Sequence, residues 1–167
     1  MPEPGILDPA RSRRYTRFAT MRHLGLDVGD RSIGVALSDE TATLASGLDT
    51  LRRVGPRKDV KAVAELVRRH GVGEVVVGLP RRLDGGLGPQ AHKVLDFAEA
   101  LRAALDVPVV PWDERLTTVI AQRALVEADV SRRNRKAVVD KVSAILILQS
   151  YLDYRKLAES ESRGSVP

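Results

Sequence analysis

The hydrophobic and polar positions of residues 24–37 predict a β-hairpin. Over residues 24–29 (LGLDVG) an apolar side chain occupies every second position, which is the period of a strand with one buried face. The tetrapeptide GDRS at 29–32 has the composition of a turn, and IGVAL at 33–37 forms a second apolar run. The regular structure is therefore predicted to begin with two antiparallel strands.

Strand and helix patterns alternate through the rest of the chain. They predict a third strand over 46–54, a helix over 57–70, a buried strand at 75–77, a helix over 91–105, a strand over 107–112 and a helix beginning at Thr117 or Thr118. The last helix, over about 136–157, is apolar on nearly every face, which is typical of a buried helix. This order predicts an α/β fold with a mixed five-stranded sheet, antiparallel in its first strands, parallel in its later strands and flanked by helices.

The two ends of the chain lack this periodicity. Residues 1–20 carry three prolines and four arginines and are predicted to form a disordered basic arm. Residues 158–167 are predicted to form a disordered tail. Residues 21–157 are then one domain, long enough to bury a substantial core.

Composition narrows the class of protein. Of the 167 residues, 43% are hydrophobic and 29% are charged, as in globular proteins. No apolar run approaches the roughly 20 residues of a membrane span, and the arginine-rich start is unlike a secretory signal. The absence of cysteine excludes disulfides and thiolate metal sites, and it fits a cytoplasmic protein. The net charge of +5 favours a polyanionic partner.

Asp27 stands out because aspartate is disfavoured in the middle of a strand. Its neighbours on the same face, Gly25 and Gly29, have no side chains, so another group could approach the carboxylate closely. Two interpretations stay open at this point. The aspartate either stands on a rigid platform that binds something, or it points to solvent from an ordinary hairpin.

Two other carboxylates lie where packing alone would not favour them. Glu114 follows the strand at 107–112 at its carboxyl end, where α/β sheets usually place their sites. Asp140 shares a helical stripe with Ala144 and Ile147, and an unpaired carboxylate among apolar neighbours is costly. Each of these positions therefore calls for a partner.

The partner of Asp140 has two explanations. A local salt bridge to Arg135, Lys136 or Lys141 would satisfy the carboxylate without any ligand. The alternative is that Asp27, Glu114 and Asp140 converge on divalent metal. Carboxylate oxygens are hard ligands that suit Mg²⁺ or Mn²⁺.

Basic residues lie next to each acidic element. They are Arg81 and Arg82 in the glycine-containing loop after 75–77, Arg115 beside Glu114, and Arg132, Arg133, Arg135 and Lys136 before Asp140. Acids for metal surrounded by bases for phosphates are what metal-assisted cleavage of phosphodiester bonds requires. Each basic run taken alone is also compatible with a solvated surface.

Four blocks of the sequence resemble the YqgF-type (RuvX) family, relatives of the RuvC Holliday junction resolvases. In the family's order they are GLDVGDRSIGVALSD at 25–39, VVVGLPRRLDGGLGPQA at 75–91, WDERLTT at 112–118 and SRRNRKAVVDKVSAILILQSYL at 131–152. The resemblance covers about residues 22–155. It implies a ribonuclease H-like fold and catalytic acids at Asp27, Glu114 and Asp140.

The resemblance also implies a function. Members are regarded as nucleases of the bacterial cytoplasm that process the 5′ end of pre-16S ribosomal RNA, and Holliday junction resolvase activity has been proposed for the same family. We favour two-metal hydrolysis, with ions roughly 3.5–4 Å apart. Asp27 would bridge them, with Glu114 and Asp140 on either side. The histidines at 23, 70 and 92 are then structural or surface residues.

Rival classes remain. Sugar and acetate kinases of the actin-like superfamily open with a similar hairpin, but this chain is short for their two domains. A non-catalytic nucleic-acid-binding factor in transcription or ribosome assembly is another alternative, although a pure binder of polyanions gains nothing from three acids. A precursor RNA or branched DNA fits as substrate. A monomer suffices for the RNA, whereas a symmetric junction favours a homodimer.

Overall fold

The computed structural model describes residues 21–117 and 135–164, without the side chains of residues 135–139. The elements in chain order are β1 (Arg22–Val28), β2 (Ser32–Ser38), β3 (Ala45–Arg52), α1 (Pro56–Arg69), β4 (Val72–Leu79), α2 (Pro89–Ala104), β5 (Val109–Asp113), a 3₁₀ turn (Glu114–Leu116) and α3 (Arg135–Gly164). The basic arm and the helix predicted after Thr117 lie outside the described residues. No described helix is both long and apolar enough to cross a membrane.

The five strands form one mixed sheet in the order β3-β2-β1-β4-β5. The strands β1, β2 and β3 pair antiparallel, whereas β1, β4 and β5 pair parallel. The predicted mixed sheet, with antiparallel first strands and parallel later strands, is confirmed. The carboxyl ends of β1, β4 and β5 therefore lie at one edge of the sheet, beside the start of β2 and the end of β3.

One face of the sheet is covered by α1 and α2. The alternating apolar residues of β1, Leu24, Leu26 and Val28, are buried on this face. They pack in one cluster with α1 and α2 residues that include Val63 and Leu101. A fully buried Leu or Val side chain stabilises a fold by roughly 1.5–3 kcal/mol, so this layer carries much of the folding free energy.

The opposite face of the sheet is covered by α3. Its buried residues, Ala144, Ile147, Leu148, Tyr151 and Leu152, recur at helical spacing and pack on the strands. The stripe predicted beneath Asp140 is therefore confirmed. The helix is buried along one face rather than all round, because other apolar residues on it, at 142, 145 and 146, stay partly exposed.

The last helix continues past its predicted end. Residues 158–164, predicted to belong to a disordered tail, are helical, and α3 ends at Gly164. This part of the prediction is wrong for a physical reason. Ala158, Glu159 and Glu161 favour helix, and Arg155 pairs with Glu159 one turn later at 3.7 Å.

Candidate active site

Two glycines leave room for two of the acidic residues at the candidate site. A side-chain carbon at Gly34 of β2 would overlap the carbonyl group of Asp140. A side-chain carbon at Gly78 of β4 would lie 2.8 Å from Oε1 of Glu114. Each strand thus presents bare backbone where an acidic residue approaches, and a larger residue would push that acid away.

The space beside Asp27 is filled by the protein itself. A side-chain carbon at Gly25 would lie 2.7 Å from Cβ of Leu148 on α3. Gly29 lies in the β1–β2 turn, where its amide donates within the turn. Of the two glycines predicted to admit an approaching group, Gly25 therefore admits α3, whereas Gly29 faces the carbonyl of Ser32 in its own turn. It is this helix that brings Asp140 to Asp27.

Asp27 lies on the α3 face of β1, directly opposite Gly34 of β2. Because the backbone of Asp140 covers Gly34, the two aspartates are neighbours. The pKa of Asp27 is raised to about 6, chiefly by burial and then by the charge of Asp140, while a hydrogen bond with Ser143 acts in the opposite direction. The site therefore holds negative charge at an energetic cost.

Asp140 is tied to the hairpin that carries Asp27. The hydroxyl of Ser32, at the start of β2, donates a short hydrogen bond to Oδ2 of Asp140. Lys141 does not form the alternative salt bridge, and its stem packs 3.6 Å from the position of a side-chain carbon at Gly47 of β3. Among the side chains described, a serine rather than a base is the partner of this carboxylate.

Glu114 begins the 3₁₀ turn that follows β5. The pKa of Glu114 is raised to about 7, chiefly by burial and then by the charges of Asp27 and Asp113. Asp113 ends the strand, and its carboxylate accepts hydrogen bonds from the amide and the guanidinium of Arg115. Asp113 therefore holds the turn, and Glu114 faces Asp27.

The three acids form two pairs that share Asp27. One pair is Asp27 with Asp140, and the other is Asp27 with Glu114. In the part of the chain that the structure describes, no three His, Asp or Glu side chains form a closed group that could hold a metal ion. The donor chemistry nevertheless fits Mg²⁺ or Mn²⁺. The oxygens are hard, and a cation would relieve the repulsion that raises the pKa of Asp27 and of Glu114.

The predicted phosphate-binding bases differ in their surroundings. Arg81 is partly buried. Burial raises the pKa of Asp113, but the bonds and charge of Arg115 and then the charge of Arg81 lower this pKa below its usual value. Arg82 is exposed and lies 3.9 Å from Asp84 within the same loop. Arg115 forms a 2.7 Å ion pair with Asp113. All three lie on the β4–β5 side of the acids, and two of them have their charge offset by an acid.

The remaining predicted bases precede Asp140 in the chain. Arg132 and Arg133 lie outside the described residues. Arg135 and Lys136 form the start of α3, and only their backbone is described. Their proposed contact with phosphate therefore stays a prediction.

Two serines at the site were not predicted from the sequence. Ser32 bonds to Asp140, and Ser143 bonds to Asp27. Each serine lies on the element that carries the opposite aspartate, so the two bonds cross between the hairpin and α3. Ser143 lies three residues after Asp140, on the same side of the helix, and this spacing was the available signal.

Comparisons with known proteins show the family to which the chain belongs. A family model described as "RuvX: Holliday junction resolvase" matches residues 21–154. A protein of Caldanaerobacter subterraneus subsp. tengcongensis named "Putative pre-16S rRNA nuclease" is 56% identical over 137 residues, covering 81% of this chain and 99% of its own. A protein of the same name from Moorella thermoacetica is 57% identical over 133 residues, covering 80% and 95%.

Solved structures show the fold. The RuvC of T. thermophilus in complex with a Holliday junction substrate matches with a TM-score of 0.60 and 16% identity, over 83% of this chain and 96% of that chain. A second structure of Thermus thermophilus RuvC matches with a TM-score of 0.52 and 17% identity, over 83% of this chain and 97% of that chain. The ribonuclease H-like fold predicted for this chain is thereby confirmed.

Proposed function

Because the chain belongs to the RuvX family, we propose that it is a metal-dependent nuclease that processes the 5′ end of pre-16S ribosomal RNA. Membership of a nuclease and resolvase family implies a hydrolase that acts on the phosphodiester bonds of nucleic acid. The metal, the RNA precursor and a cytoplasmic location are the finer parts of the proposal. They rest on the acids of the site and on the names of the relatives.

One observation carries the proposed activity. Asp27 lies between Asp140 and Glu114, and the pKa of Asp27 and that of Glu114 are raised by burial and by their acidic neighbours. Collecting buried negative charge destabilises a fold unless a cation or hydrogen-bond donors compensate the charge. A divalent cation that accompanies a phosphodiester would supply this compensation, whereas a purely structural hairpin would not need three acids.

The acids have separate proposed roles. Asp27 would be shared between two ions, with Asp140 and Glu114 each completing one side. Bound there, Mg²⁺ or Mn²⁺ would supply an activated water and offset charge on the leaving oxygen. Ser32 orients the carboxylate of Asp140 through its hydrogen bond. Gly78 leaves room for the carboxylate of Glu114.

A second candidate function is the resolution of Holliday junctions. It is favoured by the description of the matching family and by the fold shared with RuvC. A resolvase that cuts a two-fold symmetric junction would act most simply as a homodimer, whereas processing of one RNA end needs only a monomer. The two functions use the same acids and differ in substrate and assembly.

One experiment tests the activity and separates the substrates. Purified protein is incubated with Mg²⁺ or Mn²⁺ and with pre-16S RNA, single strands, duplexes and a four-way junction, beside Asp27→Asn. We expect metal-dependent cleavage of the RNA precursor by the parent and none by the variant. Preferred cleavage of the junction would favour the resolvase. Binding without cleavage of any substrate would favour the non-catalytic factor and overturn the proposed activity.

A further inference from the structure

The exposed bases of this protein divide into paired and unpaired groups. Paired bases, whose charge is offset by an acid within 4 Å, include Arg22 with Glu40, Arg68 with Glu65, Lys93 with Asp30, Arg102 with Glu99 and Arg115 with Asp113. Four exposed bases around the end of β3 form no ion pair with any described residue. They are Arg31, Arg52, Arg57 and Lys58, which we name the β3 corner.

A clamp of hydrogen bonds, made by the half-buried Arg53 and the buried Asp59, links the parts of this corner. The side chain of Arg53 donates to Asp59 at 3.0 Å and to the carbonyl of Gly29 at 2.9 Å. The amide of Arg53 also donates to the carbonyl of Arg31 at 2.9 Å. Asp59 is 3% exposed and accepts from the amide of Val54 at 3.0 Å. The clamp therefore fixes the β1–β2 turn, the end of β3 and the start of α1, which together carry the four bases.

Strand register places Arg52 near the acids. Arg52 pairs with Ser32, so the two side chains lie on the same face of the sheet, the face covered by α3. The hydroxyl of Ser32 is the group that bonds to Asp140. Arg52 is thus the next side chain outward from the acids toward the β3 edge, and it is exposed.

The spacing suits a nucleic-acid backbone. Two strand spacings of about 4.8 Å separate β1 from β3, and Arg52 lies about 7 Å further along β3 than Thr50, the residue level with Asp27, so Arg52 lies about 12 Å from Asp27. Successive phosphates of one strand advance about 3.4 Å along a duplex axis, so 12 Å corresponds to about three to four nucleotides. A strand whose scissile bond lies at Asp27 would carry a phosphate over Arg52.

Nearby acids do not offset the charge of the corner. The carboxylate of Asp30 pairs with Lys93 at 3.1 Å. Asp59 is used by Arg53, and Asp49 pairs with Val35 on the opposite face of the sheet from Arg52. On the other side of the acidic site, by contrast, Arg82 and Arg115 face acids of their own. Among the exposed bases that the structure describes around the acidic site, those without an ion pair therefore lie at the β3 corner.

We propose that the β3 corner is a phosphate-binding surface that holds the nucleic-acid backbone about three to four nucleotides from the scissile bond. It lies on the opposite side of the acids from Arg81, Arg82 and Arg115. The substrate then crosses the carboxyl edge of the sheet from β5 over β1 to β3. This inference rests on the proposed function, since it extends the substrate path from the same acids.

The first test measures affinity against salt concentration. Arg31, Arg52, Arg57 and Lys58 are changed together to Gln in the Asp27→Asn protein, with a fluorescent 30-nucleotide RNA strand and its duplex as probes. The control also removes four positive charges, at exposed bases far from the site: Arg68 and Arg69, which pair with Glu65, and Lys156 and Arg163, which form no ion pair with any described residue. We expect the plot of log affinity against log salt to become shallower by about 3 for the corner variant, at 0.7–0.9 per lost contact. The control should keep the parent slope.

An unchanged slope in the corner variant, or equal losses in both variants, would overturn the proposal. Thermal melting verifies that each variant is folded. If the fourfold variant melts well below the parent, the single change Arg52→Gln replaces it in the test and is expected to lower the slope by about 0.7–0.9. Cleavage by the protein with Asp27 intact is measured in parallel. If the parent cuts and the slope is unchanged, the corner proposal alone fails. If the parent cuts nothing, the proposed function fails whatever the slope.

A second test locates the contact. Single phosphates of a cleaved substrate are replaced in turn by neutral methylphosphonate linkages, and binding is measured with Asp27→Asn and with Asp27→Asn plus Arg52→Gln. We expect a linkage about three to four nucleotides from the cleaved bond to weaken binding of the first protein and to have no further effect on the second. Equal weakening of both proteins at every position would contradict a contact at Arg52.

Discussion

Replacing Asp27 with Asn should stabilise the metal-free protein. Burial and the charge of Asp140 raise the pKa of Asp27 from 3.8 to about 6. At 1.36 kcal/mol per pKa unit, this rise corresponds to about 3 kcal/mol of destabilisation once the carboxylate is ionised. Asparagine keeps the shape and can still bond to Ser143, but it carries no charge. At about 3 °C per kcal/mol for a domain of this size, Asp27→Asn should melt up to ~10 °C above the parent at pH 8.

The sign of the pH dependence follows from the raised pKa. The unfolded chain loses its proton near pH 4, whereas folded Asp27 keeps it to about pH 6 and folded Glu114 to about pH 7. The folded state therefore binds more protons in this window, and the stability of the parent should fall as pH rises from 4 to 7. Because the two acids share one repulsion, their separate losses should not be added in full.

The measurement is thermal melting at pH 4 to 8 in chelator. Asp96→Asn, which removes an exposed carboxylate on α2, is the matched control and should follow the parent curve. Adding Mg²⁺ at pH 8 should raise the melting temperature of the parent more than that of Asp27→Asn. A parent that is as stable at pH 7 as at pH 4, or an Asp27→Asn protein that melts below the parent at pH 8, would refute the reasoning.

Three further changes test the contacts around Asp27. Asp140→Asn should melt in chelator at or above the melting temperature of the parent, because it relieves the repulsion with Asp27 and can still accept a hydrogen bond from Ser32. Asp140→Ala should melt lower. A clear loss of melting temperature in Asp140→Asn would restore the salt-bridge explanation. Ser32→Ala loses a hydrogen bond to a charged group, worth about 1.5–3 kcal/mol, and should lower both the melting temperature and the affinity for Mn²⁺ titrated directly; an unaltered Mn²⁺ affinity would contradict the orienting role. Gly34→Ala drives a methyl group into the backbone of Asp140 and should lower the free energy of unfolding, measured in denaturant, by about 3 kcal/mol or more. Gly47→Ala, whose methyl would lie 3.5 Å from Ile145, should lower it by under ~1 kcal/mol. Equal losses would contradict the close approach of α3.

The elements of the fold could be predicted because their patterns are local. Alternation along β1 and β2 and the helical stripe of α3 are fixed by which side chains face the core, and the register follows from them. The three acids could be chosen from local patterns too, since Asp27 and Asp140 interrupt apolar patterns and Glu114 follows the carboxyl end of a strand. The length of α3 was missed because the residues after 157 are polar, and polarity alone does not distinguish an exposed helical end from disorder.

The contacts around the acids could not be predicted in the same way. Serine is common on surfaces, so nothing in the sequence distinguishes Ser32, whose partner lies 108 residues away. The role of Gly34 depends on what covers it, and its own strand pattern does not contain that information. The predicted bases were chosen for their closeness in sequence to the acids. Sequence distance says nothing about the acids that offset them, as the pair of Arg115 with Asp113 shows.

The same close contact that serves the site also determines where stability can be gained. Gly25 and Gly34 let α3 approach the sheet, and this approach buries Leu148 while it forces Asp140 toward Asp27. The apolar contacts of α3 must therefore outweigh the repulsion of the acids whenever no cation is bound. A bound cation turns the repulsion between the acids into attraction to the cation and leaves the apolar contacts of α3 unchanged. Binding of metal should thus tighten the packing of α3 on β1 and β2, and α3 is the element through which an occupied site would stabilise the whole fold.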